Sequence, residues 1–312
     1  MCSKVVRGPS LWNAFFADIS VPANSTGGRA AKFADDLNVF HKFDMKTPLV
    51  EMQSVVGKCR DRVQKWGKTY KVTFDASKER VVIIHPSLNH GDSFKLLGCI
   101  MDTDLRMQSA VEQMLSKVRP KVTAILRTRA YHPIPELVTQ FKTHVWGLMG
   151  AHSGGIFHAA SNPLQKIDLV QTRFLRELDM SPECAFLEFN FAPPSLRRRI
   201  AILGLMHKRV LGKCHPSFDF LLPFWKGGEG LGRGHNRQLY GHWEEIKCHN
   251  ALFHRSIFGM CDIYNNLSQQ VVDCSSVSEF QSFLTHLARN RCEDGDAAWA
   301  ASYSRYGNNH YI

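Results

Sequence analysis

Two aspartates stand side by side at Asp35 and Asp36, with Phe33 and Ala34 before them and Leu37, Val39 and Phe40 after. Adjacent carboxylates repel, so burying both without a cation raises at least one pKa strongly. A site that keeps both ionised calls for a divalent metal, and oxygen-only ligands select Mg²⁺ or Mn²⁺. Standing alone, such a pair also describes a solvated turn, so the surrounding elements have to decide.

The alternation around the pair predicts strand, tight turn and strand, with the acids at or near the turn. Before it, residues 8–20 predict a short helix with Ser10 as N-cap and Leu11, Trp12, Phe15, Phe16 and Ile19 on its apolar face. Val21 to Gly28 reads as a loop because Pro22, Asn24, Gly27 and Gly28 break it. After the pair, Met52, Val55, Val56, Cys59, Val63 and Trp66 repeat at helical spacing over 48–68, with Gly67 placed to stop the helix. Lys71 to Phe74 and Val81 to Ile84 read as strands joined by a turn through Asp75–Glu79, and Phe94 to Ile100 as a further strand. The expected class is α+β, a small antiparallel sheet with helices on one face, over residues 1–104.

From residue 105 the pattern is helical. Val111 to Ile125, Ile134 to Leu148, Leu164 to Leu178 and Leu196 to Leu211 carry amphipathic spacing, with Pro120 expected to break or kink the first of these. Residues 105–212 therefore form an all-α bundle. Residues 213–243, rich in glycine, lysine and arginine, read as a mobile basic linker without the spacing of a phosphate loop. Shorter helices are expected over 244–312, with a frayed tail from Tyr303.

The chain has 312 residues, 44% of them hydrophobic, and a formal charge of +11. It can bury a sizeable core and should favour polyanions, nucleic acid first. Arg106, Lys117, Arg119, Lys121, Arg127 and Arg129 face one acid, Glu112, within 106–129. Arg197, Arg198, Arg199, Lys208, Arg209 and Lys213 face none within 197–213. Two such runs on successive amphipathic helices fit a phosphate backbone. Nine cysteines without Cys-x-x-Cys spacing point to reduced thiols and an intracellular setting, nuclear or cytoplasmic. Cys248, His249, His254, Cys261, Cys274, His286 and Cys292 match no finger or knuckle spacing, so no structural zinc is expected. No apolar run is long enough for a transmembrane helix, and the N-terminus does not read as a signal peptide.

In order, these pieces resemble the reverse transcriptase of a non-LTR (LINE-type) retrotransposon, entered part-way through its palm subdomain. Phe33-Ala34-Asp35-Asp36 is similar to the family's Tyr/Phe-x-Asp-Asp box. Gly8 to Ile19 resembles the end of the preceding nucleotide-binding motif and its helix. Trp66, Phe74 and Lys78-Glu79 resemble the Trp … Asn … Lys-Thr/Ser-Glu stretch. Leu96-Leu97-Gly98 resembles the Tyr-Leu-Gly strand that grips the primer, and the basic helices after it look like the thumb. The likeness covers residues 5–100 well and 105–212 more loosely.

The resemblance implies RNA-directed DNA polymerase chemistry, in which a primer 3′ hydroxyl attacks the α-phosphate of a deoxynucleotide and expels pyrophosphate. Two Mg²⁺ ions about 3.5–4 Å apart stabilise the attacking and leaving oxygens. Asp35 and Asp36 would supply metal ligands, and Lys78 would meet the departing pyrophosphate. Gly8, Phe33 and Ala34 would lie by the nucleotide, and Leu97 and Gly98 by the primer. The partners implied are an RNA template with a DNA primer, or their hybrid, and deoxynucleoside triphosphates. The family's further catalytic aspartate lies on an earlier strand with no counterpart here, and Arg7-Gly8 stands where a Gln-Gly would end. The chain thus looks like a fragment with an incomplete site. The alternatives are a catalytically dead remnant that binds nucleic acid through its basic helices, or a helical interaction module with an incidental Asp-Asp turn.

Overall fold

The structure, a computed structural model, describes residues 8–44, 46–84, 93–151, 153–226, 235–242 and 251–304. It divides into two units, Met1–Val81 and Val82–Ile312.

In the first unit, α1 (Gly8–Phe16) runs through a 3₁₀ turn at Ala17–Ile19 into α2 (Ser20–Asn24). Ser10 therefore lies inside a helix and is no N-cap, and the first half of the expected loop at 21–28 is helical. The breakers act only from Gly27, whose φ is +80°. Strands β1 (Arg29–Phe33) and β2 (Asp36–Phe40) pair antiparallel, with Arg29 opposite Phe40 and Phe33 opposite Asp36.

Helix α3 (Leu49–Tyr70) passes Gly67 and ends one turn later, on Lys71 in the left-handed region (φ +57°). Gly67 has a different task from stopping the helix. A Cβ there would lie 2.7 Å from both the Phe74 ring and the Val72 carbonyl, so glycine lets the chain fold back against its own helix. Phe16, Ile19 and Trp66 form the core of this unit, with Trp12, Leu37, Val63, Val72 and Phe74 packed on it. The expected strands at 71–74 and 81–84 are unpaired coil. Val72 and Phe74 are spent on the aromatic core instead of a ladder.

In the second unit, Phe94 to Ile100 is a hairpin and not one strand. Strand β3 (Phe94–Leu96) turns through Leu97 and Gly98 into β4 (Cys99–Met101). The described strands thus make two separate two-stranded sheets. Helix α4 (Gln108–Arg127) begins where the Asp102 carboxylate accepts from the Gln108 N–H at 2.8 Å. It continues through Pro120, whose ring is on the solvent side, while Val118 and Val122 on either side are buried. Packing outweighs the missing N–H.

Helix α5 (Ile134–Phe141) passes through a π turn at Lys142–Trp146 into α6 (Gly147–Ala151), and α7 (Ser153–Ile156) follows. Then come α8 (Ser161–Glu177) and α9 (Pro182–Phe189). Together with β4 and α4 these enclose one core around Leu115, Phe141, Ile167 and Phe174.

A second core lies between α10 (Pro194–Val210) and α15 (Val277–Glu293). The short helices α11 (Ser217–Leu221), α12 (Ala251–Arg255), α13 (Cys261–Asn265) and α14 (Gln269–Val272) complete it. Its centre is polar. His207 Nε2–H donates to the Cys274 carbonyl at 2.9 Å, which leaves Nδ1 to accept from the Tyr264 hydroxyl at 3.1 Å. The ring stacks on Phe280 at 4.2 Å.

The described ends of the expected mobile linker are packed. Leu222, His235 and Leu239 are buried, and Phe224 bridges Leu239. Residues 227–234 lie outside the described residues. Tyr303, where the frayed tail is expected to begin, is held in place, and residues 305–312 lie outside the described residues. Tyr303 is buried, and its hydroxyl donates to the Leu284 carbonyl at 2.8 Å. No helix among the described residues is long and apolar enough to cross a membrane.

Candidate functional site

The register of the β1–β2 hairpin leaves Ala34 and Asp35 as a two-residue turn and puts Asp36 on the first position of β2. Alternation then sends Leu37 and Val39 to one face and Asp36, Asn38 and Phe40 to the other. Leu37 packs on the Phe16–Trp66 core. Asp36 therefore shares the outer face with Phe33 and Phe40, which are 63% and 50% exposed.

Ala34 occupies φ +53°, a region costly for a residue with a Cβ. A hydrogen bond holds it there, since the Trp12 indole N–H donates to the Ala34 carbonyl at 3.0 Å. Lys32 Nζ adds a second tie to the Ala17 carbonyl at 3.0 Å. Both tethers run back to the α1–α2 segment, so the acidic turn is positioned by the helix before it.

Both carboxylates are exposed, and neither makes a hydrogen bond or ion pair among the described residues. Their oxygens are the right hard donors for Mg²⁺ or Mn²⁺. Among the described residues, however, no three His, Cys, Asp or Glu side chains converge as a metal site. The donor set fits one weakly held cation and falls short of two.

Lys78 sits in the turn at 76–78 that follows α3. Its ammonium is 3.8 Å from Asp75, its own turn partner, and is 84% exposed. The Ser77 hydroxyl and N–H donate to Asp75 and, with Lys78, hold that carboxyl below its usual range. Glu79 pairs with Arg60 at 2.8 Å, which fixes the turn to α3. Gly8 is the first residue of α1.

Leu97 and Gly98 form a two-residue turn with φ of +47° and +84°, the signature of a tight hairpin with both central residues left-handed. Leu97 is 56% exposed there. Cys99, just beyond, is buried against Gly155, where an added Cβ would lie 3.1 Å from the sulfur.

The basic residues divide sharply. Arg198 is buried, and its guanidinium is 3.0 Å from a carboxylate oxygen of Asp168. Arg209 is buried too, paired with Asp219 at 3.1 Å and lying over the Phe224 ring. Arg199 donates to the Ala300 and Ser302 carbonyls. Arg197 stacks 3.3 Å over the Trp146 ring. Arg198, Arg199 and Arg209 therefore work inside the fold, which corrects the expectation of a free phosphate-facing row on α10, while Arg197 is exposed on the Trp146 ring. The helix lies between two cores, and of the five Arg197 and Lys208 are exposed.

On α4, Arg119 and Lys121 flank opposite edges of the buried stripe, at about 100° per residue. Arg127 faces solvent, and Arg129 donates to the Leu126 carbonyl.

A basic groove that the charge runs did not reveal lies between α4 and α8. It measures about 280 Å³, and Arg119, Lys166, Arg173 and Arg176 line it above Val122 and Val170. The spacing of 166, 173 and 176 puts one flank of α8 in the groove. Asp168 and Glu177 on the same helix hide that flank from any count of charge along the chain.

The chain is 26% identical over 206 residues to the RNA-directed DNA polymerase from mobile element jockey of Drosophila funebris, a match covering 57% of this chain. It spans only 21% of the length of that polymerase. No family model matches the chain. No solved structure matches it. The likeness bears out the resemblance to a LINE-type reverse transcriptase read from the residues.

Proposed function

We propose that this chain is the palm and thumb portion of an RNA-directed DNA polymerase of a LINE-type retrotransposon. Residues 1–104 would be the partial palm and the helical region 105–212 the thumb. The carrying observation is that a Phe-Ala-Asp-Asp box, in a chain similar to such a polymerase, stands on an exposed, tethered hairpin turn.

On this reading Asp35 and Asp36 hold a divalent cation at the turn, and the outer face that carries Phe33 meets the nucleotide. When bound, Mg²⁺ supplies charge stabilisation to a phosphoryl group. Two adjacent carboxylates cannot surround two ions, so nucleotide addition requires further carboxylates beyond this pair. Lys78 acts only if its turn brings it to pyrophosphate, at the expense of its pair with Asp75. RNA template, DNA primer and deoxynucleoside triphosphates are the proposed partners.

Primer extension on an RNA template tests the proposal. The 312-residue chain alone should give none. A chimera carrying the preceding palm segment of a related polymerase should extend the primer and lose that activity in Asp35→Asn. Asp35-dependent extension by the chain alone would overturn the incompleteness of the site. A folded chimera indifferent to Asp35→Asn would overturn the polymerase assignment.

A further inference from the structure

The π turn that follows α5 carries Lys142 at one end and Trp146 at the other. Such turns cost regular hydrogen bonding and recur where a helix presents a side chain for function. The Trp146 indole is fixed by its neighbours. Its N–H donates to Gln171 Oε1 at 3.2 Å, and the buried Gln171 in turn donates to the Phe191 and Ala192 carbonyls, each at 3.1 Å. The Phe191 ring stacks on the indole at 4.8 Å, and the Arg197 guanidinium lies 3.3 Å from its centre.

At that distance only a flat guanidinium fits over the ring, so its N–H groups point outward past the indole edge. None of them has a protein acceptor among the described residues. Lys142 Nζ sits 5.6 Å from the centre of the same ring and donates to the Phe189 carbonyl, which leaves two of its three protons. Burial, and then the charge of Arg197, hold Lys142 below its ordinary value. Acids on the neighbouring helices are engaged elsewhere, Glu136 with His132 and Asp168 with Arg198, and α10 has none. Two cations are thus held at one ring without a counter-charge among the described residues.

A preorganised fork beside a point charge suits one compact oxyanion. Charge selects among the oxyanions. A carboxylate or a phosphodiester brings one negative charge to two cations, whereas a phosphomonoester brings about −1.5 to −2 at neutral pH. We infer that Arg197 and Lys142, seated on Trp146, form a binding site for a single phosphomonoester group, either inorganic phosphate or the terminal phosphate of a strand. Internal phosphates of a nucleic-acid backbone, each singly charged, are the poorer ligand here. The site is independent of the polymerase reading.

The test is NMR of the full chain carrying ¹⁵N-labelled tryptophan, following the indole signal that disappears in Trp146→Phe. Inorganic phosphate, titrated at constant ionic strength, should shift that signal and saturate. Acetate and dimethyl phosphate should bind at least about ten-fold more weakly. Arg197→Gln and Lys142→Gln should each weaken phosphate about ten-fold or more, with thermal melts confirming that both variants fold. The comparison of anions uses the parent chain and decides even where a variant melts early. A 5′-phosphorylated oligonucleotide that binds more tightly than both inorganic phosphate and its 5′-hydroxyl twin would assign the site to a strand terminus. Inorganic phosphate binding as tightly as that oligonucleotide would assign it to the free ion. Equal affinity for acetate and phosphate would overturn the inference, as would phosphate binding unchanged in both variants. Displacement of phosphate by the 5′-hydroxyl oligonucleotide as readily as by its phosphorylated twin would overturn it too, by marking a backbone contact.

Discussion

The Trp12 indole N–H and the Ala34 carbonyl, 3.0 Å apart, tie the helix before the acidic pair to the turn that presents it. Removing only this donor, in Trp12→Phe, keeps an aromatic ring to stack on Phe16. It should cost about 1 kcal/mol locally. Amide hydrogen exchange over residues 30–39 should quicken roughly five-fold. Ala34→Gly should act the other way, since glycine accepts the left-handed turn position without the Cβ penalty.

Leu97 is the weak point of the second hairpin. An exposed leucine at φ +47° does what asparagine does at lower cost in such a turn. Leu97→Asn should raise stability by about 0.5–1 kcal/mol, read as a higher midpoint in urea. A lower midpoint would show that the Leu97 side chain is held by something other than the turn.

Arg198 and Arg173 should separate stability from binding. Arg198→Ala leaves Asp168 partly buried without its partner, and should cost about 3 kcal/mol of stability. Arg173→Ala should leave the melting temperature within about a degree, as surface changes do, and lower affinity for nucleic acid. The reverse pattern would return the arginine triplet on α10 to the binding surface.

The second core should weaken in acid. Burial lowers the pKa of His207 and His235 below the ordinary 6.5, only partly offset by their hydrogen bonds to the Cys274 and Tyr264 carbonyls. The unfolded chain then binds more protons than the folded one as pH falls below 6.5. Stability from these rings is complete above about pH 6.5 and is lost as pH drops towards the lowered values. Melting temperature should fall by several degrees between about pH 7.5 and about pH 5.5, and by less in His207→Gln.

The helices of the second unit were legible because their apolar residues repeat at helical spacing over long stretches, as in α4 and α8. The strands near 71–84 were not. Val72 and Phe74 alternate as a strand would, but the aromatic cluster around Trp66 claims them, and alternation cannot report that. Pro120 and Gly67 were read by propensity, which packing overrode in one case and close approach in the other.

At the site, the hairpin turn with Asp35 and Asp36 was legible from its flanking alternation. The fate of the arginines was not, because charge along a chain does not show which guanidinium faces a buried acid. Arg198 and Arg173 look alike in sequence, and only the placement of Asp168 separates them.

Manganese is the direct probe of the acidic turn. Mn²⁺ titrated into the isotopically labelled chain should broaden the amide signals of residues 33–37 first, at weak, roughly millimolar affinity for so few charged ligands. Asp35→Asn with Asp36→Asn should abolish that broadening, and Lys78→Ala should leave it. Broadening centred elsewhere, or undiminished at the turn without both carboxylates, would contradict the assignment of Asp35 and Asp36 as metal ligands.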